Sequence, residues 1–80
     1  MLNFDAELDA RDLPCPMPLL KTKQALSTLA AGQVLRVLAT DAAAPRDFAA
    51  YAEATGHVLL QTDFLVEQCV LYVKKREDAA

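Results

Sequence analysis

Leu13-Pro14-Cys15-Pro16-Met17-Pro18 sets three of the chain's four prolines around one of its two cysteines, just ahead of a helix-like run. Pro16 disfavours α geometry at the residue before it and pushes Cys15 toward the extended conformation of a helix N-cap. The same spacing predicts Pro16 at N1 and Pro18 at N3, where a missing N–H costs little because first-turn donors have no intrahelical acceptor. With proline at N3, Met17 is the one backbone donor that an N-cap sulfur would ordinarily reach. The positive end of a helix dipole favours thiolate over thiol, which is the chemistry of a nucleophile. A small buried apolar cysteine behind ordinary helix-start prolines fits the same residues. Local physics leaves both readings open.

Upstream, Ala6 to Ala10 reads as a first strand feeding the Arg11 to Pro14 turn. From Pro16 to about Ala31 the positions Leu19, Thr22, Leu26 and Leu29 recur at spacings of three and four, which predicts one helical face with Ala25 alongside. Gly32 is expected to stop that helix as its C′ residue. Gln33 to Thr40 alternates, with Leu35, Val37 and Ala39 on one side and Val34, Arg36 and Leu38 on the other, as a strand does. Pro45 fits N1 of a second helix running to about Thr55, with Ala44 as a poor N-cap and Asp47 complementing the dipole. Phe48, Tyr51 and Ala52 should face inward and Gly56 should close the helix. Val58 to Thr62 and Cys69 to Lys75 read as two antiparallel strands separated by Asp63 to Gln68. The order β-α-β-α-β-β predicts an α+β two-layer sandwich, both helices lying on one face of a four-stranded mixed sheet with a right-handed parallel first crossover. Residues 1–80 read as one domain, with Glu77 to Ala80 as a frayed tail.

Eighty residues suffice for one modest core. Hydrophobic residues make up 54% of the chain, but fifteen are alanine and none is tryptophan, so the packing must come from Leu, Val, Phe and Tyr. A net charge of −3 and a pI near 4.9 argue against direct nucleic-acid binding, which rests on clustered Lys and Arg, and point to protein or small-molecule partners. Two cysteines 54 positions apart form no CxxC pair, and with a single histidine there is no zinc pattern, so neither metal nor cofactor is expected. Spacing alone leaves a Cys15–Cys69 disulfide open. Met1 to Asp5 lacks the basic and apolar regions of a signal peptide and no run reaches membrane-spanning length, so a cytoplasmic protein with reduced thiols and no membrane association is expected.

The run Leu8-Asp9-Ala10-Arg11-Asp12-Leu13-Pro14-Cys15-Pro16-Met17-Pro18-Leu19 resembles the LDxxGLxCPxPL signature of the TusA/SirA family of small sulfur carriers. The resemblance extends over nearly the whole chain, through a lysine-bearing helix, Gly32, Thr40-Asp41, Arg46-Asp47, Gly56-His57 and a terminal basic strand. It implies that Cys15 accepts a sulfane sulfur as a persulfide, with Pro16, Met17 and Pro18 supplying the motif and the helix N-terminus. The sulfur would pass from a donor protein of the cysteine desulfurase or rhodanese type to an acceptor protein, a sulfurtransferase's part in a sulfur relay. The alternative is a non-catalytic regulatory or protein-binding module of the same fold. Asp12 stands where the family usually has glycine, and Ala42 where it often has proline. If that glycine takes positive φ, Asp12 must adopt it too, and its carboxylate near a thiol would oppose thiolate formation.

Other residues divide between structure and function. Cys69 shares a strand face with Leu71 and Val73 and reads as core, and His57 as a solvent-edge or half-buried residue. Lys21 and Lys23 read as a solvated helix face, or as a dock for an acidic partner beside the thiol. Lys74, Lys75 and Arg76 read as an edge-strand guard. Phe64, Leu65 and Val66 form an apolar run in a predicted turn, which packs on the sheet end or, if exposed, marks a partner surface.

Overall fold

The computed structural model describes residues 2–14 and 16–77. Its sheet is built around β2 (Val34–Ala39), whose alternation sends Leu35, Val37 and Ala39 into the interior. On one side β2 pairs in parallel with β1 (Ala6–Ala10), setting Ala10 beside Ala39. On the other it pairs antiparallel with β4 (Gln68–Lys74), which in turn pairs antiparallel with β3 (Val58–Leu65). The strand order is therefore β1-β2-β4-β3. Helices α1 (Met17–Ser27) and α2 (Ala44–Thr55) cover a single face, where Leu26, Ala44 and Phe48 join Leu35, Val37, Ala39, Cys69, Leu71 and Val73 in one core cluster. This is the α+β sandwich expected from the sequence.

The helix-free face is closed by side chains of its own. Tyr72 and Val70 point to that side yet are buried. Arg36 lies across Tyr72, donating from Nε to its hydroxyl at 3.3 Å, pairing with Glu7, and stacking 5.3 Å from the Phe4 ring centroid. The aliphatic stem of an arginine can shield apolar surface while its head stays paired.

Both helices start away from the expected residues, and α1 also stops early, for identifiable reasons. Pro16 is the N-cap of α1, not N1, so Met17 is N1 and Pro18 is N2. The helix ends at Ser27 and not near Ala31, because hydroxyls take over backbone carbonyls: Ser27 Oγ donates to Gln24 O at 2.6 Å and Thr28 Oγ1 to Ala25 O at 2.7 Å. Gly32, at φ 83°, lies in the turn beyond that end, where its N–H donates to Lys75 O at 2.9 Å and joins the turn to the end of β4. Pro18 joins Thr22 and Leu26 as a buried residue, with Leu19, Ala25 and Leu29 half-buried beside them. In α2 the N-cap is Ala43 and Pro45 is N2; Asp41 ties down the entry, accepting from Ala43 N–H at 3.3 Å through Oδ1 and from Ala44 N–H at 3.0 Å through its carbonyl. Gly56 closes α2 at φ 86°, as expected.

The β3–β4 hairpin is tighter than its sequence suggests. β3 continues through Asp63, Phe64 and Leu65, and Val66-Glu67 alone make the turn, with Glu67 at φ 59°. A bulge between Leu59 and Gln61 restores the phase, so that Leu59 opposite Val73 and Thr62 opposite Leu71 both face the helices. β4 is a central strand, so Lys74, Lys75 and Arg76 guard no edge. Lys75 Nζ instead donates to Leu29 O at 2.6 Å and Arg76 Nη1 to Thr55 O at 3.1 Å. Cations at the carbonyl ends of both helices complement their dipoles.

Candidate functional site

The segment between β1 and α1 is pinned from several sides. Asp12 turns the chain at φ 65°, the left-handed region that aspartate tolerates better than most residues. Its N–H donates to Thr40 Oγ1 at 2.8 Å, tying the turn to the end of β2, while Leu13 N–H reaches Ala10 O at 3.4 Å. Met17 N–H donates to Pro14 O at 2.8 Å, and Leu20 N–H to Pro16 O at 3.1 Å. Cys15 lies outside the described residues, and so does its expected capping role; the N-cap position itself belongs to Pro16. Met17 N–H, expected to serve a sulfur, is already engaged by Pro14 O.

Charge around this segment is unevenly placed. Arg11 grips Asp9 with both arms, Nε to Oδ1 and Nη2 to Oδ2 at 2.9 Å each, and its N–H adds a third bond at 3.1 Å. These hydrogen bonds hold the Asp9 carboxyl down to about 2 and push the Arg11 guanidinium up. Asp12, Leu13, Lys21 and Thr40 line a shallow depression with this pair. No acidic side chain occupies the first turn of α1, but Asp41 and Asp47 line the seam where the starts of the two helices meet, beside Pro16, Pro18 and Leu19.

The two lysines named together in the sequence part company. Lys21 belongs to the depression beside Asp12, whereas Lys23 lies toward the other end of the sheet in a groove with Tyr51, His57, Lys75 and Arg76. His57 is half-buried there, its Nδ1 accepting from Arg76 N–H at 3.1 Å. Burial and the neighbouring Arg76 and Lys75 push its pKa down, the direction of a neutral imidazole that accepts. Cys69 is buried and free, and burial, aided by Asp41, pushes its thiol up, away from nucleophilic character. Sequence reasoning missed Thr40 as the anchor of the turn; its place at the end of a strand next to Asp41 was the one available signal. Among the described residues there is no cluster of three metal-ligating side chains and no helix long and apolar enough to cross a membrane.

Residues 6–75 match the family model described as sulfurtransferase TusA. The chain belongs to the TusA sulfurtransferase family. It is similar to the sulfur carrier protein TusA of Allochromatium vinosum, 47% identical over 62 residues that span 78% of this chain and 82% of that protein. It is also similar to TusA of Pseudomonas putida, 38% identical over 74 residues and 92% of each chain. Among solved structures it resembles the SirA-like protein of Desulfitobacterium hafniense, with a TM-score of 0.73 at 26% identity, covering 91% of this chain and all of that one. Within the TusA frame, Asp12 adopts the positive φ that the signature glycine would allow.

Proposed function

We propose that this TusA-family chain is a sulfur carrier that holds sulfane sulfur as a persulfide on Cys15 and relays it between two proteins. The observation that carries the reading is the pinned turn: Asp12 is anchored to Thr40, and the Pro14–Met17 hydrogen bond spans positions 14 to 17 immediately before a helix with no acid in its first turn. The described residues on either side of Cys15 are thereby tied to the sheet and to the start of α1.

In loading, the Cys15 thiolate attacks the outer sulfur of a donor persulfide. A new S–S bond forms on Cys15, the donor's S–S bond breaks, and the donor leaves as a thiolate. In unloading, the acceptor's nucleophile attacks that outer sulfur and Cys15 leaves as the thiolate. Each step exchanges one bond for another and needs no metal, redox cofactor or acid–base triad. The positive end of α1 favours the thiolate that both steps require.

Intact mass after incubation with a cysteine desulfurase and L-cysteine, or with inorganic polysulfide, tests the proposal. Wild type and Cys69→Ser should gain one sulfur atom, and Cys15→Ser none. A wild type that gains no sulfur from either source, or a Cys15→Ser variant that gains it equally, refutes the reading.

A further inference from the structure

The β3–β4 hairpin ends in apolar side chains for which the fold has no use. Phe64 is 73% exposed, Leu65 52% and Val66 90%. Single exposed apolar residues are ordinary, but three in succession at a hairpin tip, where polar turn residues are the rule, form a patch that calls for a cover. Phe64 sits opposite Cys69, and Cys69 opposite Ala39, which places Phe64 on the helix side of the sheet. There it walls an open groove of about 270 Å³ that has Ala42 and Pro45 on its other side and Ala39 and Cys69 also lining it.

The rim of this groove has one sign of charge. Its ionisable lining residues besides Cys69 are Asp41 and Glu67; no Lys, Arg or His is among them, and Arg46, next to Pro45, pairs with Asp47 at 3.7 Å. Location adds to the argument. Ala10, Ala39, Cys69 and Phe64 are in register across all four strands, so the groove opens at the end of the sheet from which the Asp12–Met17 turn springs. Three strand spacings, roughly 14 Å, separate its far wall at Phe64 from the end of β1, well inside the footprint of one protein–protein contact.

We infer that the hairpin tip and this groove dock the protein with which Cys15 exchanges sulfur, and that the partner offers an apolar side chain flanked by Lys or Arg. The inference rests on the sulfur-carrier reading above. Burial of the tip supplies affinity, and the acidic rim selects basic partner surfaces and repels acidic ones. A second copy of the chain is a poor occupant, because a two-fold contact would bring Asp41 and Glu67 against their own counterparts. Small molecules find too little enclosure beside a wall as exposed as Phe64.

The ¹⁵N-labelled chain is titrated with a synthetic peptide carrying Leu-Phe between pairs of Lys and Arg, and with its twin carrying Glu in their place. The basic peptide should shift the amides of residues 42 and 64–68, about tenfold more tightly than the acidic one. That preference should weaken in high salt, and binding should fall about tenfold in Phe64→Ser, whose exposed position leaves folding intact. Equal response to both peptides, shifts confined to other surfaces, no shift at all, or concentration-dependent shifts at the tip of the chain alone would each overturn the inference. In parallel, Phe64→Ser/Val66→Ser should load from inorganic polysulfide as fast as wild type but about tenfold more slowly from the cysteine desulfurase; equal rates from the protein donor also overturn it. Failure of wild type to load from polysulfide counts against the carrier reading instead, and the peptide titration still decides the groove.

Discussion

The two ends of the sheet handle charge in opposite ways. At the end where β2 stops and β4 begins, the helices present their N-termini, a groove opens between Pro45 and Phe64, and its rim carboxylates face no cation within the groove. At the other end Lys75 and Arg76 lie near the C-termini of the same helices, Lys75 committed to the Leu29 carbonyl just beyond α1 and Arg76 to that of Thr55, the last residue of α2. The basic cluster that reads as an edge-strand guard in the sequence instead ties down the far ends of the helices, while the opposite end combines an exposed apolar tip with two rim carboxylates.

The largest effect should come from a core residue that also reaches the end where the helices start. Phe48 is buried between the helices and the sheet and also lines the seam at their starts, so Phe48→Ala should lower unfolding stability by about 3–5 kcal/mol. Urea denaturation should record the loss; a change below about 1 kcal/mol would show that the site collapses around the cavity. Lys75→Met separates the ends. Losing the bond to Leu29 O should cost about 1–2 kcal/mol in the same measurement, while Cys15 loading from polysulfide keeps its wild-type rate. A slowed rate would join two regions that the comparison holds apart.

Thr40→Val should show the reverse pattern. With Asp12 N–H deprived of its acceptor at an exposed site, stability should drop by only about 1 kcal/mol, but loading should slow severalfold as the turn loosens, and Thr40→Ser should restore it. If Ser fails to restore the rate, Thr40 acts through its methyl group and not through the hydrogen bond.

The smallest effect is a pH dependence at the basic end. His57 has its pKa lowered by folding, so between that lowered value and about 6.5 the unfolded chain binds more protons than the native one. Its contribution to stability is therefore complete above about pH 6.5 and is lost as pH falls through the folded value. The urea midpoint of wild type should fall more between pH 7.5 and pH 5 than that of His57→Gln. Parallel curves would mean that Arg76 N–H does not depend on the neutral imidazole.

What the sequence made legible was whatever repeats. The alternation of Gln33 to Thr40 located β2 and its inward face, the three-and-four spacing located α1, and the element order located both helices on one side. Ends were harder to read, because they depend on single hydrogen bonds. Proline is tolerated throughout a first helical turn, so Pro16 and Pro45 signalled a start without fixing it to a residue. Ser27 and Thr28 stopped α1 early by a local competition that periodicity does not record. β3 ran past Thr62 because the turn at Val66-Glu67 contains no Gly, Pro, Asn or Asp to announce it. At the candidate site the motif around Cys15 was plain from the residues, whereas Thr40 sits 28 positions from Asp12 and became visible only once β1 and β2 were side by side.

The bulge in β3 has a consequence for how the protein behaves in a crowded solution. β3 is an edge strand with Val58, Leu60, Phe64 and Leu65 all substantially exposed, a composition that in a flat strand would template the addition of further strands. The irregularity at Leu59–Gln61 interrupts the row of free N–H and C=O groups and twists the edge, so an incoming strand cannot pair along its length. A chain that keeps an uncovered apolar tip for exchange with other proteins thereby remains a poor seed for fibrils.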